Sequence, residues 1–320
     1  MIELFKNRKA ELYLIAESYY QRLTTKKGKQ QKVLPDYLDD EINAQTGTTK
    51  DFFEFYKAHL KEIVLASPPD FDKWIKEIEA INGDKKIIKE FFTDDKKGYY
   101  ADYDRWGAYE LAKKLKVDVC PYCNRNYTFT FGEDQQGQKG TRPDYDHFLD
   151  KATYPYLALS FYNLVPSCNI CNSDFKGKKE FKLSKNIHPY LEGFESHAVF
   201  TSKPQTYEAL LGIDEENLTI QVNITTKDKD LRTKIENNVE VFKINELYEQ
   251  HGSIVSELYR KKHISNDKYL EILQQTFNGL GLSKEEMYRL AFGNFMNEKD
   301  FEKRPLSKLT HDIAQELGLL

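Results

Sequence analysis

Cysteine is scarce in this chain. Only four occur in 320 residues, and none lies outside two pairs, CPYC at 120–123 and CNIC at 168–171. That rules out a disulfide-dense scaffold and leaves no thiol elsewhere for nucleophilic chemistry. Long apolar runs are absent too. A stretch such as Ile63-Val64-Leu65-Ala66 is far too short to span a bilayer, and the opening MIELFKNRKAEL is charged where a signal peptide would be apolar. The expectation is a soluble, cytoplasmic protein with no membrane association. Nor is there an excess of positive charge: 47 Lys and Arg stand against 51 Asp and Glu, for a net charge of −4. This argues against a blanket nucleic-acid coat but leaves room for a local basic patch. No internal repeat or low-complexity tract is present. What is plentiful is aromatic, 21 Tyr and 20 Phe, which serve first as core and helix-packing residues.

The pattern of apolar residues divides the chain into three. Residues 1–116 read as a helical region, with Leu12, Ile15, Tyr19 and Leu23, and then Phe53, Tyr56, Leu60 and Val64, at helical spacing. TTKKGKQQK (24–32) reads as a basic loop. Asp70 is placed to cap DKWIKEIEAI, which stops near Gly83, and YDRWGAYELAKKLKV (103–117) reads as one helix leading to Cys120. Residues 117–186 change texture: YTFTF (127–131) alternates like a strand, GEDQQGQKGTRP (132–143) is a polar loop, and LALSFYNLVP (157–166) predicts a second strand before CNICNSDFKGKK opens a short helix. Residues 187–320 are mostly helical, with a strand at LTIQVNI (218–224) and a capping-box match at SKEE (283–286). The fold class expected is α+β.

The two CxxC pairs supply four thiolates, a closed tetrahedral set suited to structural zinc. Unpaired core cysteines or a redox pair are the alternatives. The 44 residues between the pairs are too many for a compact zinc ribbon, so Cys120, Cys123, Cys168 and Cys171 are read as clamping the two ends of a small motif. Inside the clamp lies PDYDHFLDK (143–151). Phosphodiester hydrolysis needs a base for water and positive charge at the phosphate. A His beside a carboxylate on a strand suits both, because adjacent strand residues face opposite ways and can hold imidazole and metal on different sides. His147 is the candidate base and Asp146 a candidate ligand for a divalent ion. Asn172 offers a second, neutral oxygen, and Asn163 is placed to orient the imidazole or its backbone. Lys176, one helical turn beyond Asn172, is a candidate phosphate contact.

The order DH, then NLVPSCNICN with a trailing Lys, resembles the HNH, or ββα-metal, endonuclease superfamily in its zinc-clamped form. About 65 residues, roughly 120–185, carry the resemblance. It implies His147 as general base, Asp146 and Asn172 as ligands of a catalytic Mg²⁺ or Mn²⁺, Asn163 as the residue that orients the base, and a nucleic-acid substrate, DNA ahead of RNA. Asn172 stands where the name-giving His would be, which leaves the preferred metal open. More loosely, RPDYDHFLDKATYPYLALSFYNLVPSCNICN is similar to the nuclease subunits that accompany ABC-type ATPases in Septu-like and retron-linked anti-phage defence, which implies an ATPase partner for the helical flanks.

Five lysines against one glutamate in residues 176–185 make a local positive excess, read either as a phosphate-tracking edge or as a solvated turn. His188 is expected to be structural. The reading from a different class is a zinc-supported module that binds nucleic acid or protein without cutting, but it has no use for Asp146, His147, Asn163 and Asn172 at this spacing.

Overall fold

The computed structural model describes residues 1–26, 32–132, 140–265, 269–276, 279 and 281–320. Most of the 24–32 and 132–143 loops therefore lies outside the described residues. The chain forms a mixed α+β fold, helices surrounding two small antiparallel sheets. Side chains from all three sequence regions, among them Phe53, Trp106, Phe148, Ile220 and Leu309, join one continuous apolar core.

Helix Lys9–Thr24 buries Leu12, Ile15, Tyr19 and Leu23 on one stripe, as their spacing requires. The next apolar series is divided: the chain leaves helical geometry at His59, giving helices Gly47–Ala58 and Leu60–Val64. Helix Phe71–Ile81 follows Asp70 and ends at Asn82, which is left-handed. Asp70 accepts a bond from the Ser67 hydroxyl in place of a helix N–H. The single helix expected over 103–117 is two, Tyr103–Trp106 and Ala108–Leu115, broken at Gly107 with φ of 75°. The positive φ calls for glycine, and a Cβ at Gly107 would sit 3.0 Å from the Arg22 side chain, which would have to shift. The box at Ser283 and Glu286 forms as the sequence predicts.

Strand β1 (Asp144–His147) pairs antiparallel with β2 (Leu164–Ser167), and β3 (Ala198–Pro204) pairs with β4 (Leu218–Ile224). β4 matches its alternation. YTFTF does not become a strand: it makes single bridges at Tyr127 with Val119 and at Phe131 with Thr141. Its alternation is real, since Thr128 is buried while Tyr127, Phe129 and Phe131 face solvent, but among the described residues no ladder forms along it. The strand expected over 157–166 begins only at Leu164, because the turns Pro155–Leu157 and Phe161–Asn163 occupy the earlier residues. The helix expected after Cys168 is a π-type turn, Ile170–Lys176, closed by the Gly177 N–H donating to the Asn172 carbonyl.

The flanks hold the centre. Tyr19 Oη donates to the Leu159 carbonyl, Tyr56 Oη to that of Tyr156, and Ser160 Oγ to that of Ile63, so the N-terminal helices fix the loop between β1 and β2. From the other side, Asn124 in the first cysteine turn donates to the Phe301 carbonyl and accepts from the Lys308 N–H, and Tyr248 Oη donates to the Cys123 carbonyl.

His188 is buried between these layers, its ring 4.3 Å from that of Phe148 and its Nδ1 accepting from the Tyr190 N–H. Burial lowers its pKa to about 3. The folded protein keeps this ring neutral, whereas the unfolded chain takes up a proton below about 6.5. Its contribution to stability is full above that value and is lost as pH falls towards 3, at up to about 1.4 kcal/mol per pH unit. Denaturant titrations between pH 6 and 4 should show a slope about one proton shallower in His188→Phe than in the wild type; equal slopes would clear His188 of that role.

Candidate functional site

The four cysteines meet. All are buried, and their sulfurs lie within 4.8 Å of one another, near the spacing of about 3.8 Å that a tetrahedral zinc with Zn–S of about 2.3 Å imposes. The first pair sits in a tight turn, with the Asn124 N–H donating to the Cys120 carbonyl and the Cys120 N–H to that of Asn126. Asn126 Nδ2 lies 3.4 Å from Cys168 Sγ, a donor aimed at a thiolate. A set of four sulfurs with an amide donor fits structural zinc.

From this cluster the chain reaches β1, where alternation puts Asp146 and His147 on opposite faces. Asp146 is 2% exposed, and both its oxygens are engaged: Oδ2 accepts from Tyr122 Oη at 2.6 Å and Oδ1 from Lys176 Nζ at 2.8 Å. Lys176 is equally buried and also donates to the His147 carbonyl. Here the structure departs from the sequence reading, which put Lys176 at the phosphate. One turn of separation from Asn172 sets its face but not its depth, and the carboxylate inside draws the ammonium inward. Lys176→Met would leave Asp146 as a buried unpaired charge. Chemical denaturation should show a loss of about 3–5 kcal/mol; a change under about 1 kcal/mol would mean that the pair is not buried in solution.

On the opposite face, His147 Nε2 lies 3.1 Å from the Ala158 carbonyl. A carbonyl only accepts, so this contact selects the Nε2–H tautomer and leaves Nδ1 with its lone pair. The imidazole packs edge-on to Tyr100 at 4.6 Å, and Tyr100 in turn stacks on Trp106. Burial above all, then the positive charges of Lys151 and Lys176, lower its pKa to about 3, against the opposing pull of the Ala158 carbonyl. Burial thus keeps the ring neutral across the ordinary pH range.

Asn163 acts through the backbone. Its Oδ1 accepts from the Leu149 N–H at 2.7 Å, its Nδ2 donates to the Leu149 and Leu157 carbonyls, and its own carbonyl accepts from the Phe148 N–H. It thereby fixes the residues that follow His147 and the one preceding Ala158. Asn172 lies in the π-type turn, half-buried, four residues before Lys176, and its carboxamide makes no hydrogen bond among the described residues. The structure thus joins Asp146, Lys176 and Tyr122 on one side of β1, and His147, Ala158 and Tyr100 on the other, with Asn163 bracing the loop between. Sequence reasoning missed Tyr122, Tyr100, Asn126 and Lys151. Two of them had a signal in the sequence: Tyr122 lies inside CPYC, and Lys151 ends the PDYDHFLDK stretch.

Comparison with known proteins gives two partial likenesses. The chain is 27% identical over 119 residues to the Septu protein PtuB of Bacillus thuringiensis, covering 37% of this chain and 41% of that protein. It is 35% identical over 77 residues to protein ea31 of Escherichia phage lambda, covering 23% of this chain and 22% of that protein. The chain thus spans less than half the length of either relative. No family model matches, and no solved structure matches.

Proposed function

We propose that this protein is a metal-dependent endonuclease of the HNH type that hydrolyses nucleic-acid phosphodiester bonds, and that it serves as the nuclease of an anti-phage defence complex with an ABC-type ATPase. The observation that carries the reading is His147: a neutral imidazole with one nitrogen pinned by a backbone carbonyl and the other unprotonated, on the strand that bears Asp146, beside a four-cysteine cluster. The partial likeness to a Septu protein supports the defence setting.

In this reading His147 Nδ1 takes the proton of the attacking water, and the Ala158 carbonyl, facing Nε2–H, stabilises the imidazolium that results. Asn163 keeps that carbonyl and the residues after His147 in register. Asp146 and Asn172 are the residues that would hold the divalent ion. Two hard oxygen donors suit Mg²⁺ or Mn²⁺, the Asn172 carboxamide has no other partner among the described residues, and each Asp146 oxygen keeps a further lone pair. The ion would supply positive charge to the phosphodiester. Lys176 positions Asp146, and the cysteine cluster, holding zinc, braces both.

A second reading has one observation in its favour: both Asp146 oxygens already have partners, as in a purely structural carboxylate. A zinc-supported binding module would need no more. A nicking assay on DNA and RNA with Mg²⁺ or Mn²⁺ separates the two. The nuclease reading expects cleavage that disappears on chelation, and the binding module expects retention of nucleic acid without cleavage.

A further inference from the structure

Lys176 is drawn inside by Asp146, which leaves the His147 face without the cation that the sequence assigned to the substrate phosphate. Another lysine stands there. Lys151 follows β1 by four residues, in a turn where Asp150 accepts from the Thr153 N–H and hydroxyl. Its ammonium lies 4.8 Å from the centroid of Tyr100, the same ring that packs at 4.6 Å on the imidazole of His147. One aromatic ring therefore carries both groups. Among the described residues, no carboxylate comes within ion-pair distance of Lys151, although Asp95 and Asp150 are near enough to attract it. Such a cation is available to an anion.

We propose that Lys151 contacts the substrate phosphate beside His147, with Tyr100 fixing the lysine stem and the imidazole in one arrangement. The assignment rests on the nuclease reading for its catalytic consequence, but not for the contact itself. Half-burial lowers the Lys151 pKa and its charge weighs on the imidazole, both consistent with an ammonium held close to that ring. A ring face favours a cation without neutralising it, so the charge stays available to the phosphate. Exposed lysines at 178, 179, 182 and 185 have no such placement.

The test has two arms, both on the full chain. In the His147→Ala background, where cleavage does not interfere, affinity for a labelled oligonucleotide is measured across a series of salt concentrations. Adding Lys151→Met should weaken binding and reduce the slope of log K against log salt by roughly 0.7–0.9, the loss of one phosphate contact. In the background with His147 intact, Lys151→Met should lower kcat/KM by about tenfold or more, and Lys151→Arg should restore most of it. An unchanged salt slope and unchanged cleavage in Lys151→Met would overturn the assignment. The binding arm needs no turnover, so failure of the nuclease reading, seen as retention of nucleic acid without cleavage by the wild type, is distinguishable from failure of this contact.

Discussion

His147→Ala should lower phosphodiester cleavage by about two orders of magnitude or more while leaving zinc content and nucleic-acid affinity near those of the wild type. The substitution removes the nitrogen that accepts water's proton and touches none of the four cysteines. Its structural cost is limited, because the Ala158 carbonyl that loses its donor belongs to a loop also held by Tyr19, Tyr56 and Asn163. Asp146→Ala and Asn172→Ala act differently. Their defects should be relieved in part by raising Mg²⁺ or Mn²⁺, whereas the His147→Ala defect should not. Asp146→Ala also strands the buried Lys176 ammonium, so its activity must be compared with its folded fraction. Stopped-time plasmid nicking with thermal melts on the same preparations checks all three. Cleavage by His147→Ala at the wild-type rate would remove the base from the mechanism.

The largest effect on folding should come from the cysteines. Zinc binding by four thiolates is itself folding free energy, on the order of 10–16 kcal/mol for structural sites, because no preformed site exists in the unfolded chain. Here the cluster fixes both ends of the segment carrying β1 and β2, and the Cys123 and Asn124 turn is where Tyr248, Phe301 and Lys308 attach. Cys120→Ser or Cys168→Ser should reduce bound zinc from about one ion per chain and open residues 120–171 to proteolysis. It should also loosen the docking of helix Ser307–Glu316, seen as faster amide exchange there. Full zinc occupancy with unchanged exchange in both variants would exclude the clamp.

How far the sequence discloses this arrangement depends on what each residue needs. The cysteine spacing is legible because four thiolates at one ion are a chemical requirement that leaves its mark in the chain, and the fold brings those sulfurs together. The Asp-His pair on a strand is legible because alternation alone sends the two side chains apart. Lys176 is not, since periodicity gives the face of a turn and says nothing about whether a carboxylate waits beneath it. Tyr100 and Lys151 were hidden for a related reason. Their significance lies in a ring supplied from 47 residues before the imidazole, a relation only tertiary packing creates. YTFTF shows the converse case, a true alternation that among the described residues makes only single bridges. The helical flanks, for which the resemblance implies a partner, also brace the site through backbone carbonyls, contacts that leave no residue signature.

In the proposed mechanism two metals have two tasks, zinc holding the fold and a labile divalent ion serving cleavage. Dialysis against a mild chelator, followed by elemental analysis and a nicking assay with and without added Mn²⁺ or Mg²⁺, tests it most directly. The expected result is about one zinc retained per chain, no cleavage in the dialysed protein, and cleavage restored by the added ion at constant zinc. Cleavage that persists without the ion would contradict it. So would failure to cut any DNA or RNA with the ion present, by the chain alone and by the chain co-purified with an ATPase encoded beside it.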